Sequence, residues 1–262
     1  MRCTHEDCPT GALTRLFRKG LEFDEQWYCG TTCLAAETAE RLAALQPPVP
    51  EVRVASVSPV RLGATLVASR LIPREVLTRA LTAQGESGLP LGAQLVAMGA
   101  VDEETVTHAL ATQARIGFLP KVDVHTVMRP VADLSRAVVI ALGVVPLEVE
   151  RDGTLRIAVG APLPRTAIAA LQSGTNRRVR PYLVGDSLLK QLLDAYGTAV
   201  DDSPATGVGR LSTAQAARRI ADAAGAGRAN SWHHTWGPGF AWIRVDGASG
   251  SEDLILAATH TE

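Results

Sequence analysis

Four cysteines offer the clearest coordination chemistry in the chain. All of them lie within the first 33 residues, at Cys3, Cys8, Cys29 and Cys33. They form two close pairs, C-x4-C and C-x3-C, with twenty residues between the pairs. Thiolates grouped in this way suit a tetrahedral structural zinc ion. Because four cysteines leave no open coordination position, we expect the metal to stabilise a small module and not to catalyse a reaction.

The cysteine pattern leaves two alternatives open. His5 lies between the first two cysteines and could replace one of them as a ligand. The four residues could also be unligated thiols, whereas disulfides are not expected in a chain without a secretion signal. The sequence Trp27-Tyr28-Cys29-Gly30 resembles zinc knuckles that lead into a helix, and we predict that helix over Thr31–Leu45.

A duplicated segment supplies the second set of candidate residues. The 24 residues from Arg61 to Gln84 recur from Pro90 to Gln113 without a gap, with a period of 29 residues. The copies share Leu-Gly, Leu-Val-Ala, Ala-Leu, a Thr and a closing Gln. Units this short bury their apolar faces against each other, so we predict one compact pseudo-symmetric module.

Each copy is predicted to form a short helix, a tight turn and a longer helix. Gly99 suits a left-handed helix end, and Asp102 suits the N-cap of the next helix. Pro73 suits the first position of the longer helix in the first copy. Spacing of i, i+4 and i+7 places three residues of each copy on one helix face, namely Leu77, Leu81 and Gln84, and Val106, Leu110 and Gln113. The two glutamines could bond an opposite loop, water or a ligand.

This paired pattern resembles the cyclic-di-GMP-binding N-terminal domain, of the MshEN type, of type II secretion and type IV pilus assembly ATPases. The family motif is Arg-Leu-Gly, then two aliphatics, Gly and two aliphatics, and later Leu, Leu and Gln, repeated after five residues. The first copy matches at Arg61, Leu62, Gly63, Leu66, Val67, Leu71, Ile72, Leu77, Leu81 and Gln84. The second copy matches at Leu91, Gly92, Leu95, Val96, Gly99, Val101, Leu110 and Gln113.

The resemblance implies that each motif holds one half of the two-fold symmetric dinucleotide. A guanidinium can stack on guanine or pair with phosphate, and glycines let the ligand approach the backbone. The implied ligand-binding residues are Arg61, Leu62, Gly63, Leu66, Arg70, Leu77, Leu81, Gln84, Pro90, Leu91, Gly92, Leu95, Gly99, Leu110 and Gln113. Two of them depart from the family: Arg70 stands in place of Gly, and Pro90 stands where a basic residue is common.

Composition excludes several classes of function. The net charge is −1, which argues against broad adhesion to nucleic acid or membrane. The three lysines, Lys19, Lys121 and Lys190, precede Gly, Val and Gln, so no phosphate-binding loop of the Gly-Lys-Ser/Thr type is present. No membrane span or signal peptide is expected, and no nucleophile–base pair stands out. We therefore expect a cytoplasmic protein that is not an enzyme.

A small α/β segment is predicted after the repeat. Strands over Val144–Glu150 and Thr154–Val159 are joined through Asp152-Gly153, a hairpin signal. A helix over Arg165–Ser173, a strand over Arg178–Val184 and a helix over Asp186–Tyr196 complete it. The order resembles the small subdomain that follows the repeat in the same ATPase family. Arg177, Arg178 and Arg180 form either a solvated strand end or a contact for a partner or a ligand phosphate.

The last part of the chain resembles no family. A helix is predicted over Ser212–Ala224, followed by strands over Phe240–Val245 and Asp253–Ala257. Two tryptophans and two histidines precede the first strand, at Trp232, His233, His234 and Trp236. They suggest either a hairpin core with exposed imidazoles or a metal or sugar site.

Together these patterns predict an α+β multidomain protein, in which a mainly helical tandem module precedes a small α/β subdomain. The predicted divisions are a zinc-binding module (1–46), a linker (47–59), the tandem module (60–118), the α/β subdomain (119–197), a linker (198–210) and a helix plus β-hairpin extension (211–262). The function expected is a cyclic-di-GMP sensor with a protein partner in secretion, pilus or motility machinery. A ligand-independent adaptor is the alternative, and the modest charge disfavours a zinc-finger nucleic-acid binder.

Overall fold

The structure is a computed structural model that describes residues 2–9, 20–45, 59–127, 134–199, 210–237, 239–248 and 250–257. Most of both predicted linkers lies outside these ranges. The described helices are α1 (Thr31–Ala43), α2 (Pro59–Ala68), α3 (Arg74–Ser87), α4 (Leu91–Ala97), α5 (Glu103–Ala114), α6 (Val124–Val127), α7 (Arg136–Leu142), α8 (Arg165–Thr175), α9 (Asp186–Ala199) and α10 (Thr213–Gly225). The strands are β1 (Leu21–Phe23), β2 (Gln26–Tyr28), β3 (Gly117–Phe118), β4 (Val144–Val149), β5 (Leu155–Val159), β6 (Val179–Leu183), β7 (Ser231–Gly237), β8 (Phe240–Gly247) and β9 (Gly250–Ala257). The predicted α+β class is confirmed.

The tandem module consists of α2 to α5, two helices for each copy of the repeat. Leu62, Leu66, Leu91 and Leu95 lie in a shared core between the copies. The predicted helix signals hold here: Gly99 has φ 66°, and the Asp102 side chain accepts a hydrogen bond of 2.7 Å from the Thr105 amide. Pro73 lies one position before the first residue of the helix, whereas the sequence predicted it at the first helical position. It is the N-cap residue of α3, because its extended backbone (ψ 155°) precedes the helical residues.

The α/β subdomain contains a four-stranded sheet in the order β3-β6-β5-β4. The predicted hairpin is confirmed, since β4 and β5 pair antiparallel, while β5, β6 and β3 are parallel neighbours. Strand β3 follows α5 after two residues and pairs Phe118 with Leu183. This strand, which was not predicted, fastens the end of the tandem module to the subdomain sheet.

The C-terminal extension contains a three-stranded antiparallel sheet, β7-β8-β9, where the sequence predicted two strands. The additional strand β7 holds both tryptophans and both histidines of the Trp/His cluster. Its two tryptophans are separated by His233, His234 and Thr235, so the sequence lacks the regular alternation of apolar and polar residues that indicates a strand. Trp232 and Trp236 pack on a core, whereas His233 and His234 are exposed, as the hairpin interpretation predicts.

Residues of the two chain ends share one hydrophobic core. Helix α10 packs along α1, so closely that a Cβ at Gly225 would lie 2.4 Å from the Thr31 methyl carbon. Alternate residues of β8 then face opposite sides. Ala241 and Ile243 join the core with α1, while Phe240 and Trp242 join the core of the α/β subdomain. The C-terminal sheet is therefore a layer between the cysteine-containing module and the α/β subdomain.

A buried ion pair connects this layer to the α/β subdomain. Arg244 and Asp253 are 8% and 5% exposed, and the Arg244 Nε donates to the Asp253 carboxylate over 2.8 Å. The same carboxylate accepts from the Trp242 indole at 2.8 Å and from the Ser135 amide at 3.2 Å. The Arg244 guanidinium also donates to the carbonyl oxygen of Gly174 in α8. These bonds satisfy both buried charges.

Candidate functional site

The four cysteines converge on one point, as predicted. Cys3 and Cys8 lie on the N-terminal loop, Cys29 follows β2, and Cys33 lies in the first turn of α1. The sulfur atoms of Cys8, Cys29 and Cys33 are 3.5–3.6 Å apart, and all four lie within 4.8 Å of one another. Tetrahedral zinc with bonds of about 2.3 Å needs sulfurs about 3.8 Å apart. The donor set therefore fits such an ion.

The surroundings of the cysteines also favour a metal site. The Cys29 amide donates to the Cys3 sulfur over 3.5 Å, which orients that ligand. Burial raises the pKa of the Cys3 and Cys33 thiols, so a divalent ion would have to displace their protons on binding. His5 lies outside the sulfur cluster, with its Nδ1 3.5 Å from a Glu37 carboxylate oxygen. The alternative in which His5 is a ligand is not supported.

The tandem motifs lie on one wall of a groove of about 590 Å³ between the tandem module and the α/β subdomain. Six residues of the predicted ligand set line it, namely Leu62, Gln84, Pro90, Leu91, Gly92 and Leu110. The opposite wall comes from the α/β subdomain, from Gly160, Ala161, Asp186 and Ser187. The lining is mainly apolar with a few polar groups, and the volume lies in the range of small-molecule sites.

Other members of the predicted set lie away from the groove. Leu66 and Leu95 are fully buried in the core shared by the two copies. Arg70 and Gly99 occupy equivalent turns, with φ values of 57° and 66°, so the turn keeps its left-handed backbone although arginine replaces glycine. Leu81 remains 41% exposed on α3. The side chain of Arg61 lies outside the described part of the structure.

The two motif glycines have matching packing roles. A Cβ at Gly63 would lie 2.5 Å from a Leu77 methyl carbon, and a Cβ at Gly92 would lie 2.6 Å from one of Val106. Leu77 and Val106 occupy the same position in their copies. Each glycine thus lets the two helices of its own copy approach closely. The duplicated sequence therefore produces duplicated packing.

The motif glutamines have different surroundings. Gln113 Nε2 donates to the Thr65 hydroxyl over 2.9 Å, which joins the end of the second copy to the start of the first. The Gln113 Oε1 is buried and has no hydrogen-bond partner among the described residues. Gln84, its equivalent in the first copy, lines the groove. The Gln113 amide nitrogen thus bonds helix α2 of the opposite copy, whereas the spacing had left open an opposite loop, water or a ligand.

Glu103 lines the groove and was not predicted as a site residue. Its Oε1 accepts a hydrogen bond of 2.9 Å from the Ser187 amide at the start of α9. Asp186 also lines the groove; its side chain stays partly exposed, and partial burial of the carboxyl group followed by the charge of Glu103 raises its pKa. The sequence indicated Asp186 only as the start of a helix, because its proximity to Glu103 depends on the packing of α5 against the subdomain.

The remaining candidate clusters have local partners. Arg180 donates to the Glu150 carboxylate over 2.7 Å, so the basic edge of β6 is partly neutralised. His233 contacts Asp246 at 3.0 Å, while His234 lies between the rings of Trp232 and Trp236 on the other face of β7. Among the described residues, only the four cysteines group closely enough to hold a metal ion. None of the described helices is both long and apolar enough to cross a membrane.

Comparison with known families gives a match to part of the chain. Residues 118–201 match the family model of the MshEN domain. This MshEN match begins in β3, where the second motif joins the sheet, and it covers the α/β subdomain through α9. It therefore adjoins the tandem motifs and includes the wall of the groove that Gly160, Ala161, Asp186 and Ser187 form.

Three solved structures also resemble this chain. A structure of MshE with cdg is 26% identical and covers 53% of this chain and 98% of that chain, with a TM-score of 0.42. One crystal form of the N-terminal domain of XpsE is 23% identical over 52% of this chain and 94% of that one, with a TM-score of 0.37. The crystal form I4122 of the same XpsE domain is 22% identical and covers 58% of this chain and 98% of that chain, with a TM-score of 0.29. No curated protein matches the chain.

Proposed function

We propose that this protein is a non-enzymatic cyclic-di-GMP-binding regulator whose ligand binds in the groove between the tandem module and the α/β subdomain. The observation that carries the proposal is the convergence of two independent features. Residues of both tandem motifs line the groove, and its opposite wall lies in the segment that matches the MshEN domain. A mainly apolar groove with a few polar groups suits the faces and edges of purine bases.

The connection between the two walls supports a regulatory role. The second motif continues through α5 into β3, which pairs with β6 of the subdomain sheet. The hydrogen bond from the Ser187 amide to Glu103 forms a second link between the two walls. A ligand that binds one spacing of the walls more tightly than another will shift the population between them. We propose that this shift changes the contact with a protein partner in secretion, pilus or motility machinery.

The cysteine module has a structural role in this proposal. A zinc ion held by Cys3, Cys8, Cys29 and Cys33 would fasten the N-terminal loop to β2 and α1. Since these elements share a core with α10 and the C-terminal sheet, the ion would stabilise both chain ends. A site of four thiolates needs reduced cysteines, which favours a cytoplasmic location.

Calorimetric titration of the full chain with cyclic-di-GMP tests the proposal. We expect saturable binding of the wild-type protein and strongly reduced binding of the double variant Arg61→Ala, Gln84→Ala. Arg79→Ala is a matched control, because Arg79 is an exposed α3 residue outside the groove lining. Absence of binding heat at roughly 100 µM ligand, an affinity weaker than about −5.5 kcal/mol, would contradict the proposal.

A ligand-independent adaptor remains the second candidate, because the tandem module carries exposed apolar residues. Leu71, Leu81 and Leu89 are 48%, 41% and 42% exposed, and large apolar side chains in this state can serve protein contacts. An adaptor of this kind would capture the same partner with and without cyclic-di-GMP. A pull-down in the presence and absence of the nucleotide therefore distinguishes the two candidates.

A further inference from the structure

The polar groups of the groove differ in whether they already form hydrogen bonds within the protein. Glu103 is occupied, because its Oε1 accepts the hydrogen bond from the Ser187 amide. The neighbouring Asp186 carboxylate is exposed along the groove, and no hydrogen-bond donor contacts it among the described residues. Its surroundings are Gly160, Glu103 and Ser187. Asp186 is thus an acceptor of two oxygens that the groove presents to whatever enters it.

A hydrogen-bond donor from a ligand would stabilise the ionised Asp186 carboxylate. Burial, and then the negative charge of Glu103, raises the pKa of Asp186, so the folded protein disfavours the ionised carboxylate. A partner that donates hydrogen bonds to the carboxylate would offset this cost. Phosphate groups would add to it. A bound dinucleotide should therefore direct its phosphates away from Asp186 and present a base edge to it.

Among purine edges, guanine suits a carboxylate. Its N1–H and its 2-amino group are neighbouring donors that point in the same direction, and the two oxygens of a carboxylate accept them together. Adenine presents an acceptor, N1, at the corresponding place, and that lone pair would face a negative charge. Unfavourable pairing of this kind is an effective basis of selectivity.

We infer that Asp186 reads the Watson–Crick edge of one guanine of the ligand and selects cyclic-di-GMP over cyclic dinucleotides without guanine. The inference rests on the proposed function and adds a specificity residue that lies outside the tandem motifs. It also places one base next to Asp186 and the phosphates away from the Asp186 and Glu103 carboxylates.

The test compares three nucleotides on the full chain: cyclic-di-GMP, cyclic-di-AMP and the inosine analogue, which lacks the 2-amino group. The wild-type protein should bind cyclic-di-GMP about 10- to 100-fold more tightly than the inosine analogue, the range for a hydrogen bond to a charged group. In Asp186→Asn, whose neutral amide keeps one acceptor oxygen and gains a donor, that ratio should fall well below the wild-type value. The ratio is the informative quantity, because both ligands carry the same phosphates and the lost charge affects them equally.

Asp194→Asn is the matched control, since Asp194 is an exposed carboxylate of the same helix outside the groove lining. It should keep the wild-type ratio. An unchanged ratio in Asp186→Asn, or equal binding of the guanine and inosine ligands by the wild-type protein, would overturn the inference and leave the proposed function intact. Failure of the wild-type protein to bind cyclic-di-GMP would instead overturn the proposed function, and the inference with it. If the variant folds poorly, equal binding of the guanine and inosine ligands by the wild-type protein still overturns the inference.

Discussion

Replacement of Asp253 by alanine should be among the most destabilising single changes in the C-terminal layer. The Asp253 carboxylate accepts from Arg244, Trp242 and Ser135, and it is only 5% exposed. Its removal would leave the Arg244 guanidinium, 8% exposed, without its counter-ion. Breaking a buried pair in this way costs about 3–5 kcal/mol. For a chain of this length, that loss of stability corresponds to a fall in Tm of about 6–20 °C.

Tryptophan fluorescence during urea and thermal unfolding is a selective assay for this change. The four tryptophans of the chain are Trp27, Trp232, Trp236 and Trp242. Trp232, Trp236 and Trp242 lie in the C-terminal layer, and Trp27 lies in β2 of the cysteine-containing module, on the core that the module shares with that layer. The fluorescence transition therefore reports on this layer and not on the tandem module, which contains no tryptophan.

Asp246→Ala is the control for this prediction. Asp246 also accepts a hydrogen bond, from the Ser251 hydroxyl at 2.7 Å, and contacts His233, but its side chain is 36% exposed. Exposed pairs contribute about 0–1 kcal/mol, so this variant should unfold close to the wild-type midpoint. If Asp253→Ala and Asp246→Ala shift the midpoint equally, the buried pair does not stabilise the layer as argued.

Three other changes test separate parts of the structure. Gly174→Ala should destabilise the C-terminal layer by about 1–3 kcal/mol, because a Cβ at Gly174 would lie 2.1 Å from the Trp242 ring. Unfolding monitored by tryptophan fluorescence measures this loss. An unfolding midpoint equal to that of the wild-type protein would contradict the close contact between Gly174 and Trp242. Cys29→Ser should lower the zinc content of the purified reduced protein, measured by elemental analysis, from about one ion per chain. It should also lower the midpoint of unfolding monitored by tryptophan fluorescence. A metal content near zero in the chelator-free wild-type protein would refute the zinc site. Asp186→Asn should be at least as stable as the wild-type protein at pH 7, because a carboxyl group whose pKa is raised on folding destabilises the folded protein once the pH is above that pKa. Urea unfolding at pH 7 and close to pH 3.8, the ordinary pKa of the group, should show the difference shrinking at the lower pH. A less stable variant at pH 7 would show that Asp186 mainly supports α9.

The sequence predicted features whose signals are local. The cysteine spacing predicted the cluster of four cysteines, the 29-residue period predicted the tandem module, and Asp152-Gly153 predicted the hairpin. Gly99 and Asp102 marked a helix end and a helix start because capping depends on the residue itself and its immediate neighbours.

Features that depend on distant contacts could not be predicted in this way. The hydrogen bond between Glu103 and the Ser187 amide joins the two walls of the groove across 84 positions of the chain, and no local pattern places these residues together. The shared core of α1 and α10 joins opposite ends of the chain. Strand β7 was missed because tertiary packing, not alternation of strongly apolar residues, defines it.

Hydrogen–deuterium exchange of the full chain with and without cyclic-di-GMP tests the central claim most directly. Binding between the walls should slow exchange in α4 of the second motif and in the two segments of the opposite wall, around Gly160 and around Asp186. The C-terminal layer, which contributes no residue to the groove lining, should exchange at the same rate in both states. Unchanged exchange in all three groove segments, or protection confined to the C-terminal layer, would contradict a ligand site between the tandem module and the α/β subdomain.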